Sequence, residues 1–185
     1  MSLKHAVLIV LQFEDGTGYE IAKWFDQGMG YFWHASHQQV YLELGKMAQA
    51  GLVTFTAVEQ IGKPAKKIYH LTDQGLAELK GWMLKPAKQF ALKDELLMKV
   101  YSGHLIPPQD LLDQILKHQT DYRELLNKFK QIEEQWFQDV ENLPLPHQYS
   151  YLTLRNGIGY AKAWLEWCDE VITFLKGQIG KQPSI

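Results

Sequence analysis

The chain has 185 residues, of which 46% are hydrophobic and 22% are charged, and its formal net charge is −2. This length suits one domain or two small ones, and the composition is that of a globular protein rather than a disordered one. The single cysteine, Cys168, excludes an intrachain disulfide and a cysteine-based zinc site. The apolar run at residues 6–11 is too short to span a bilayer and has no signal-type cleavage site, so we expect a cytoplasmic protein without a membrane partner.

The two halves of the chain differ in charge. Residues 1–90 contain 9 lysines and 8 acidic residues, whereas residues 91–185 contain 10 basic and 13 acidic residues. This polarity has the sign expected for an N-terminal DNA-binding module attached to an acidic partner domain. A conventional DNA-binding domain is more basic, so charge alone does not identify the function.

The first predicted elements are two helices and a short extended run. Residues 3–13 (LKHAVLIVLQF) are apolar almost throughout and fit a buried strand or a buried helix; their length favours the helix. Thr17 and Glu20 form a capping box at the start of a second helix over residues 18–27. The aromatic residues 31–33 (YFW) then predict a brief strand.

Residues 36–52 (SHQQVYLELGKMAQAGL) carry most of the functional prediction. Val40, Leu44 and Met47 recur at helical spacing. Ser36 is a favourable N-cap, and Gly51 suits the position just after the end of a helix. Such a helix packs on a small core through one face and presents its polar first turn to the major groove of DNA. The polar side chains at that end belong to His37, Gln38, Gln39 and Tyr41.

A β-hairpin and a further helix follow. Residues 52–59 (LVTFTAVE) and 66–72 (KKIYHLT) are rich in β-forming residues, and a turn containing glycine and proline separates them. Three lysines cluster at or near the tip of this hairpin: Lys63, Lys66 and Lys67. The next helix is predicted to start at Thr72 or Asp73. The order helix, helix, short strand, helix, hairpin, helix is that of a winged helix-turn-helix.

Two long helices are predicted after a boundary at residues 85–93. Residues 109–140 carry apolar side chains at heptad spacing, and the helix would run roughly 45 Å before the proline-containing segment 142–147. Residues 151–176 carry two adjacent apolar seams, which are more than one antiparallel neighbour covers. We therefore expect packing on the long helix of the same chain and on a second copy. The residues assigned to this dimerisation surface are Leu154, Ile158, Ala161, Trp164, Leu165, Trp167, Cys168, Val171, Ile172 and Leu175.

These patterns predict a mainly α protein with two domains. Residues 1–85 are expected to form a winged helix-turn-helix DNA-binding domain with a two-stranded wing. Residues 94–180 are expected to form an antiparallel long-helix dimerisation domain. No cofactor is expected.

Several stretches together resemble the PadR family of bacterial transcriptional regulators. They are TGYEIA at residues 17–22, FWHASHQQVY at 32–41, GLV at 51–53, GKPAKKIY at 62–69 and LTDQG at 71–75. Their order and spacing are specific across residues 3–84. The C-terminal half resembles the long helical domain of the virulence activator-type members in pattern and length.

The resemblance implies a homodimer that binds double-stranded DNA at an inverted-repeat operator and usually represses transcription. It assigns the residues near 36–41 to the major groove and the hairpin to the DNA backbone or minor groove. Family members often carry Arg or Lys where this chain has Leu42 and Gly45, so we expect the wing to supply much of the phosphate affinity. The residues predicted to contact DNA are Ser36, His37, Gln38, Gln39, Tyr41 and Lys46 on the helix, and Lys63, Lys66 and Lys67 on the wing.

Several of these residues also have a purely structural interpretation. Gln38 and Gln39 either contact base edges, preferably adenine, or form a solvated first turn, and Tyr41 either bonds a phosphate or packs beneath the helix. Some PadR-like proteins respond to phenolic acids or planar drugs, which suggests a small aromatic effector. The aromatic residues of the C-terminal half form the core and dimer interface, or else line an effector pocket between the domains or at the dimer interface. The residues proposed for such a pocket are Trp136, Phe137, Tyr160 and Trp164.

Metal, redox and catalytic sites have little support in the sequence. His34 and His37 have a ligand-like spacing, but no Cys, Asp or Glu nearby completes a metal site. Cys168 lies on an apolar seam beside Asp169, which favours a buried structural thiol. We find no nucleophile–base pair and no phosphate loop, so an enzyme is not expected. The alternative to a DNA-binding regulator is a protein-interaction adaptor that uses a winged-helix domain without binding DNA.

Overall fold

The computed structural model describes residues 2–26, 33–60, 62–87 and 93–181, with the backbone alone at Gln60, Lys63 and Pro64. The chain divides into two compact units, Met1–Phe90 and Ala91–Ile185. Most of the described residues are helical and a small antiparallel sheet lies in the first unit, which confirms the predicted fold class. Within the described part of the chain, none of the helices combines the length and the apolar character needed to cross a bilayer.

The first unit holds the predicted helices and the predicted hairpin in the predicted order. A two-residue strand adds to them, between the first and second helices. The elements are α1 (Leu3–Phe13), β1 (Gly16–Thr17), α2 (Gly18–Asp26), α3 (His37–Gln49), β2 (Val53–Gln60), β3 (Lys63–Leu71) and α4 (Asp73–Met83).

Helix α1 lies at the centre of this unit. Ala6, Val7 and Leu8 are fully buried, and the helix contacts α2, α3, α4 and β3. Consecutive buried residues are possible in a helix only when neighbours surround it, which explains why its sequence is apolar on every side. Near its start, the His5 ring stacks on Trp82 of α4 with the ring centroids 4.7 Å apart.

The sheet is more extended than the predicted two-stranded wing. β3 lies in the middle, with β1 and β2 antiparallel on either side. β1 comes from Gly16 and Thr17, and the sequence patterns identify Thr17 only as a helix cap. The strand predicted over residues 31–33 is absent at Trp33, and its first two residues lie outside the described residues.

A hydroxyl group connects the hairpin to α3 and α4. The Thr72 hydroxyl accepts a hydrogen bond from the Gly75 N–H at 3.0 Å, which caps α4. The same hydroxyl donates to the carbonyl oxygens of Gly51 and Leu52, which lie 2.8 and 2.9 Å away. The end of α3, the end of β3 and the start of α4 are therefore fixed to one another.

The second unit consists mainly of α5 (Glu95–Tyr101), α6 (Pro108–Trp136) and α7 (Leu145–Ile179), with 3-10 turns at Gly103–Leu105 and Val140–Asn142. α6 and α7 contain 29 and 35 residues, which gives lengths of about 43 and 52 Å. α7 begins earlier than the expected residue 151, because Pro144 and Pro146 fall at its N-cap and first turn. Proline is tolerated there, since the missing N–H has no intrahelical partner.

The α6–α7 contact uses part of the surface assigned to dimerisation. Gln119 of α6 donates to Asp169 of α7 at 2.5 Å, and Tyr122 stacks on Trp164 with the ring centroids 5.1 Å apart. Within the single chain, α5 and α6 cover much of this surface, and its use in a dimer stays a prediction. The assigned residues that are buried within the single chain are Ile158, Ala161, Trp164, Cys168, Ile172 and Leu175; Leu154, Leu165, Trp167 and Val171 are half-buried.

Candidate nucleic-acid interface

Helix α3 begins with a complete capping box. The Ser36 hydroxyl accepts from the Gln39 N–H at 3.3 Å, and the Gln39 side-chain oxygen accepts from the Ser36 N–H at 2.9 Å. These bonds satisfy two amides that the first turn would leave unpaired. Ser36 and the Gln39 oxygen therefore shape the end of the helix, which leaves the Gln39 NH₂ group for a DNA contact.

The other face of α3 fixes its position on the unit. Val40, Leu44 and Met47 are almost completely buried in the first core, whereas Gln38 and Lys46 are exposed. The buried and exposed positions alternate with the helical period. The packing of the apolar face therefore determines which side chains of α3 reach solvent.

His37 is engaged within the unit. Its Nε2 lies 2.8 Å from the Asp26 Oδ2 at the end of α2, and its ring makes an edge contact with Tyr19 at 5.7 Å between centroids. The bond connects the two helices of the helix-turn-helix, which gives His37 a structural role. Among the described residues, no group of three or more His, Cys, Asp and Glu side chains is placed to hold a metal ion.

The wing presents cations beside α3. Lys66 and Lys67 lie on β3 and are exposed, and the Lys67 Nζ lies 4.2 Å from the centroid of the Phe55 ring on β2. This cation–π contact orients Lys67 without neutralising its charge. The side chain of Lys63 lies outside the described residues; its backbone belongs to β3.

A cleft of about 610 Å³ separates α3 and the wing from the start of α2. Tyr41 of α3 forms one wall; it is 48% exposed and lies directly over Gly18. A Cβ on Gly18 would be 2.4 Å from the Tyr41 Cε1, so the ring occupies space that only glycine leaves free. The cleft is lined by Thr17, Gly18, Tyr19, Glu20, Tyr41, Ala65, Lys66, Lys67 and Tyr69.

Two residues that line this cleft, Tyr69 and Glu20, differ in burial and in charge. Tyr69 of β3 is buried, and burial, followed by the nearby Tyr41, raises the pKa of its hydroxyl, which stays protonated. Glu20 is exposed, and its Oε2 accepts from the Thr17 N–H at 2.7 Å and from the Thr17 hydroxyl at 2.8 Å. These hydrogen bonds, together with Lys66, lower the pKa of Glu20, so the carboxylate stays ionised.

The sequence patterns point to part of this cleft only. Tyr41, Lys66 and Lys67 are predicted contact residues, whereas Tyr69 and Glu20 are identified from the fold. The alternation of β3 could have placed Lys67 and Tyr69 on the same face of the strand. Nothing local in the sequence shows that the start of α2 adjoins them, because that contact depends on the pairing of β1 with β3.

The four residues proposed for an effector pocket do not come together within one chain. Tyr160 packs edge-on against Trp164, in the cluster that includes Tyr122. Phe137 instead contacts Tyr151, and Trp136 beside it is 64% exposed. Tyr151 and Tyr160 are nine residues apart on α7, or about 14 Å along the helix axis, so the set divides into two places.

Two other polar residues of the second unit have structural positions. The His118 ring stacks on Tyr122 with 6.4 Å between centroids. Cys168 is fully buried, and burial, together with Asp169, raises the pKa of its thiol. A thiol that is neutral and covered is a structural group rather than a reactive one.

Comparison with known proteins gives matches along almost the whole chain. Residues 7–81 match the model of the transcriptional regulator PadR-like family, and residues 92–176 match that of the virulence activator alpha C-terminal domain. A probable transcriptional regulator of Mycobacterium tuberculosis, Rv1176c, is 33% identical over 95% of this chain and 98% of its own length.

Solved structures agree with this. The Vibrio cholerae virulence activator AphA is 33% identical with a TM-score of 0.79, over 96% of this chain and 99% of that one. Bacillus subtilis PadR in complex with operator DNA is 28% identical with a TM-score of 0.82, over 94% and 98% of the two chains. The same PadR has been solved with p-coumaric acid, at 26% identity and a TM-score of 0.77 over the same shares of the two chains.

Proposed function

Since this chain belongs to the PadR-like family of transcriptional regulators, we propose that it acts as a homodimeric repressor on an inverted-repeat operator and is released by a small aromatic effector. The observation that carries the DNA-binding part is the cleft itself. A capped helix with an exposed polar first turn lies beside two exposed wing lysines on the same surface. Helix, wing and lysines are the elements with which such domains contact the groove and the phosphates.

The residues divide into base-contacting and phosphate-contacting groups. Gln38 is exposed at the first turn and is suited to pair with adenine in the major groove. Tyr41, Lys66 and Lys67 border the cleft and would contact phosphates, while Lys46 adds charge one turn from the end of α3. Ser36 and the oxygen of Gln39 support the first turn rather than read sequence.

Self-association would use an exposed stripe of α7. Leu152 is 63% exposed and Phe174 is 62% exposed. At about 100° per residue, the stripe falls within roughly 80° of the helix surface, away from the buried seam. Exposed apolar stripes of this length mark interaction surfaces, and homodimers usually join identical surfaces about a two-fold axis. The stripe comprises Leu145, Tyr149, Leu152, Tyr160 and Phe174.

The effector part of the proposal rests on the aromatic cluster and on the complex of B. subtilis PadR with p-coumaric acid. Tyr122, Tyr160 and Trp164 place flat apolar surface next to hydroxyl groups, which suits a planar phenolic acid. Adding phenolic acids should quench tryptophan fluorescence and weaken operator binding at the same concentrations. Quenching without a change in operator binding would contradict the effector role.

The primary test is fluorescence anisotropy with the promoter duplex of the chain's own gene, measured across a range of salt concentrations. We expect binding that weakens as the salt concentration rises. Replacing Lys63, Lys66 and Lys67 by Glu should abolish binding while the dimer persists in light scattering. Retained partner-protein binding by that variant, with no DNA binding by the wild type, would favour the adaptor.

Two further measurements test whether the protein forms a dimer and whether it represses or activates transcription. Leu152→Glu combined with Phe174→Glu should give a monomer in light scattering. An unchanged dimer would contradict the proposal that the stripe forms the dimer interface. A promoter–reporter fusion should be more active when the gene is deleted. Lower activity after deletion would identify an activator.

A further inference from the structure

The cleft of the N-terminal unit contains an anion where a DNA-binding surface needs cations. Glu20 borders the same cleft as Lys66, Lys67 and Tyr41. It is held there by the two hydrogen bonds from Thr17, and Lys66 is close enough to lower the pKa of its carboxyl. The carboxylate is therefore fixed in position and charged.

The donors that remain for a phosphate can be identified from the hydrogen bonds. The Thr17 N–H and hydroxyl both donate to Glu20, and the Glu20 N–H donates to the Thr17 hydroxyl at 3.2 Å. The capping box thus uses the amides of Thr17 and Glu20 and the Thr17 hydroxyl. The side-chain donors for a phosphate in the cleft include Lys66, Lys67 and the Tyr41 hydroxyl, and the phosphate would lie near the Glu20 carboxylate.

We propose that this cleft binds one phosphate of the DNA backbone and that Glu20 weakens this contact, which makes Glu20 a residue that limits affinity for DNA of any sequence. The inference rests on the proposed DNA-binding function. Glu20 acts in two ways: it competes with the phosphate for Lys66, and it repels the phosphate directly. Both effects are electrostatic and independent of base sequence.

A matched substitution isolates the charge. Glu20→Gln removes the charge and keeps an oxygen acceptor, because glutamine serves in the same position of a capping box. Glu124→Gln is the control, since it changes net charge by the same amount at an exposed position of α6 in the other unit. Thermal unfolding of both variants should match the wild type.

Binding is measured by anisotropy on the promoter duplex and on a scrambled duplex of equal length. Glu20→Gln should tighten binding to both by the same factor, about three- to tenfold at low salt. The dependence of log K on log salt should steepen by up to about one unit. Glu124→Gln should change neither affinity by more than about twofold.

A double substitution tests the part that acts through Lys66. In the Lys66→Gln background the gain from Glu20→Gln should shrink, because the competition for that lysine is gone. Unchanged or weaker binding by Glu20→Gln overturns the inference, as does tighter binding to only one duplex. Absence of DNA binding by the wild type would instead refute the proposed function, so the two failures are distinguishable.

Discussion

Replacing Gly18 with alanine tests whether the position of Tyr41 matters for DNA binding. The new Cβ would lie 2.4 Å from the Tyr41 Cε1 and 2.7 Å from its Cδ1. Carbon atoms in contact prefer about 3.5 Å or more, so the ring must retreat by about 1 Å. Tyr41 is 48% exposed and has room to swing outward, which makes this movement inexpensive.

The movement of the Tyr41 ring should change the stability of the fold little, but it should break a hydrogen bond from its hydroxyl to DNA. A bond of normal length that is stretched by about 1 Å is lost. A hydrogen bond to a charged group contributes about 1.5–3 kcal/mol, which corresponds to roughly tenfold or more in affinity. The free energy of unfolding should stay within about 1 kcal/mol of the wild type, since alanine is a good helix former at the start of α2.

The assay combines anisotropy on the promoter duplex with urea unfolding followed by circular dichroism. Gly18→Ala and Tyr41→Phe should each lose roughly tenfold in affinity, and the double variant should lose no more than either alone. Gly81→Ala, where a Cβ meets nothing within 4 Å, is the control for the substitution itself. Wild-type affinity in a well-folded Gly18→Ala variant would refute the idea that Tyr41 is positioned for a phosphate.

Three further tests concern residues that support the interface. Gly75→Ala would place a Cβ 2.1 Å from the Leu52 carbonyl oxygen and should destabilise the N-terminal unit by about 1–3 kcal/mol in urea unfolding, whereas Gly81→Ala on the same helix should stabilise it by about 0.5–1 kcal/mol. Ser36→Ala removes the α3 cap and should cost about 1 kcal/mol, while Ser36→Asn should recover most of it; equal stability of the two would contradict the capping role. Burial lowers the pKa of His5 below the ordinary 6.5, so stability is present above that pH and is lost as the pH falls through the lower, folded-state pKa. Thermal unfolding at pH 7 and pH 5 should show a smaller loss in His5→Phe than in the wild type.

Local signals predict most of the N-terminal unit. The capping boxes at Thr17 and Ser36 place the starts of α2 and α3 within one residue, because each hydrogen-bonding pattern involves residues only three apart. The hairpin is equally local, since its strands are neighbours in sequence. β1 could not be predicted, because two residues carry no periodicity and their pairing partner lies about fifty residues away.

The C-terminal unit shows what periodicity leaves undetermined. The two seams of α7 are both apolar, and the heptad spacing does not tell which faces α6 and which faces solvent. The structure decides this through particular partners, such as Gly157, whose missing side chain makes room for Phe129. Because a Cβ on Gly157 would be only 3.0 Å from the Phe129 ring, α6 and α7 must approach closely at this point. The close approach at Gly157 marks a part of α7 that packs on α6, whereas Tyr160 and Phe174 of the same helix remain 49% and 62% exposed.

The N-terminal interface combines few cations with strong positional control. α3 carries a single lysine, Lys46, and the Glu20 carboxylate borders the same cleft as Lys66 and Lys67. Tyr41, in contrast, packs into the space that Gly18 leaves beside it. Under the proposed function, such a surface would draw a modest share of its binding free energy from charge, so its affinity would depend on how accurately the two copies of a dimer meet their half-sites. A regulator built in this way responds to small changes in half-site geometry, because little sequence-independent attraction remains to hold a misaligned dimer on DNA.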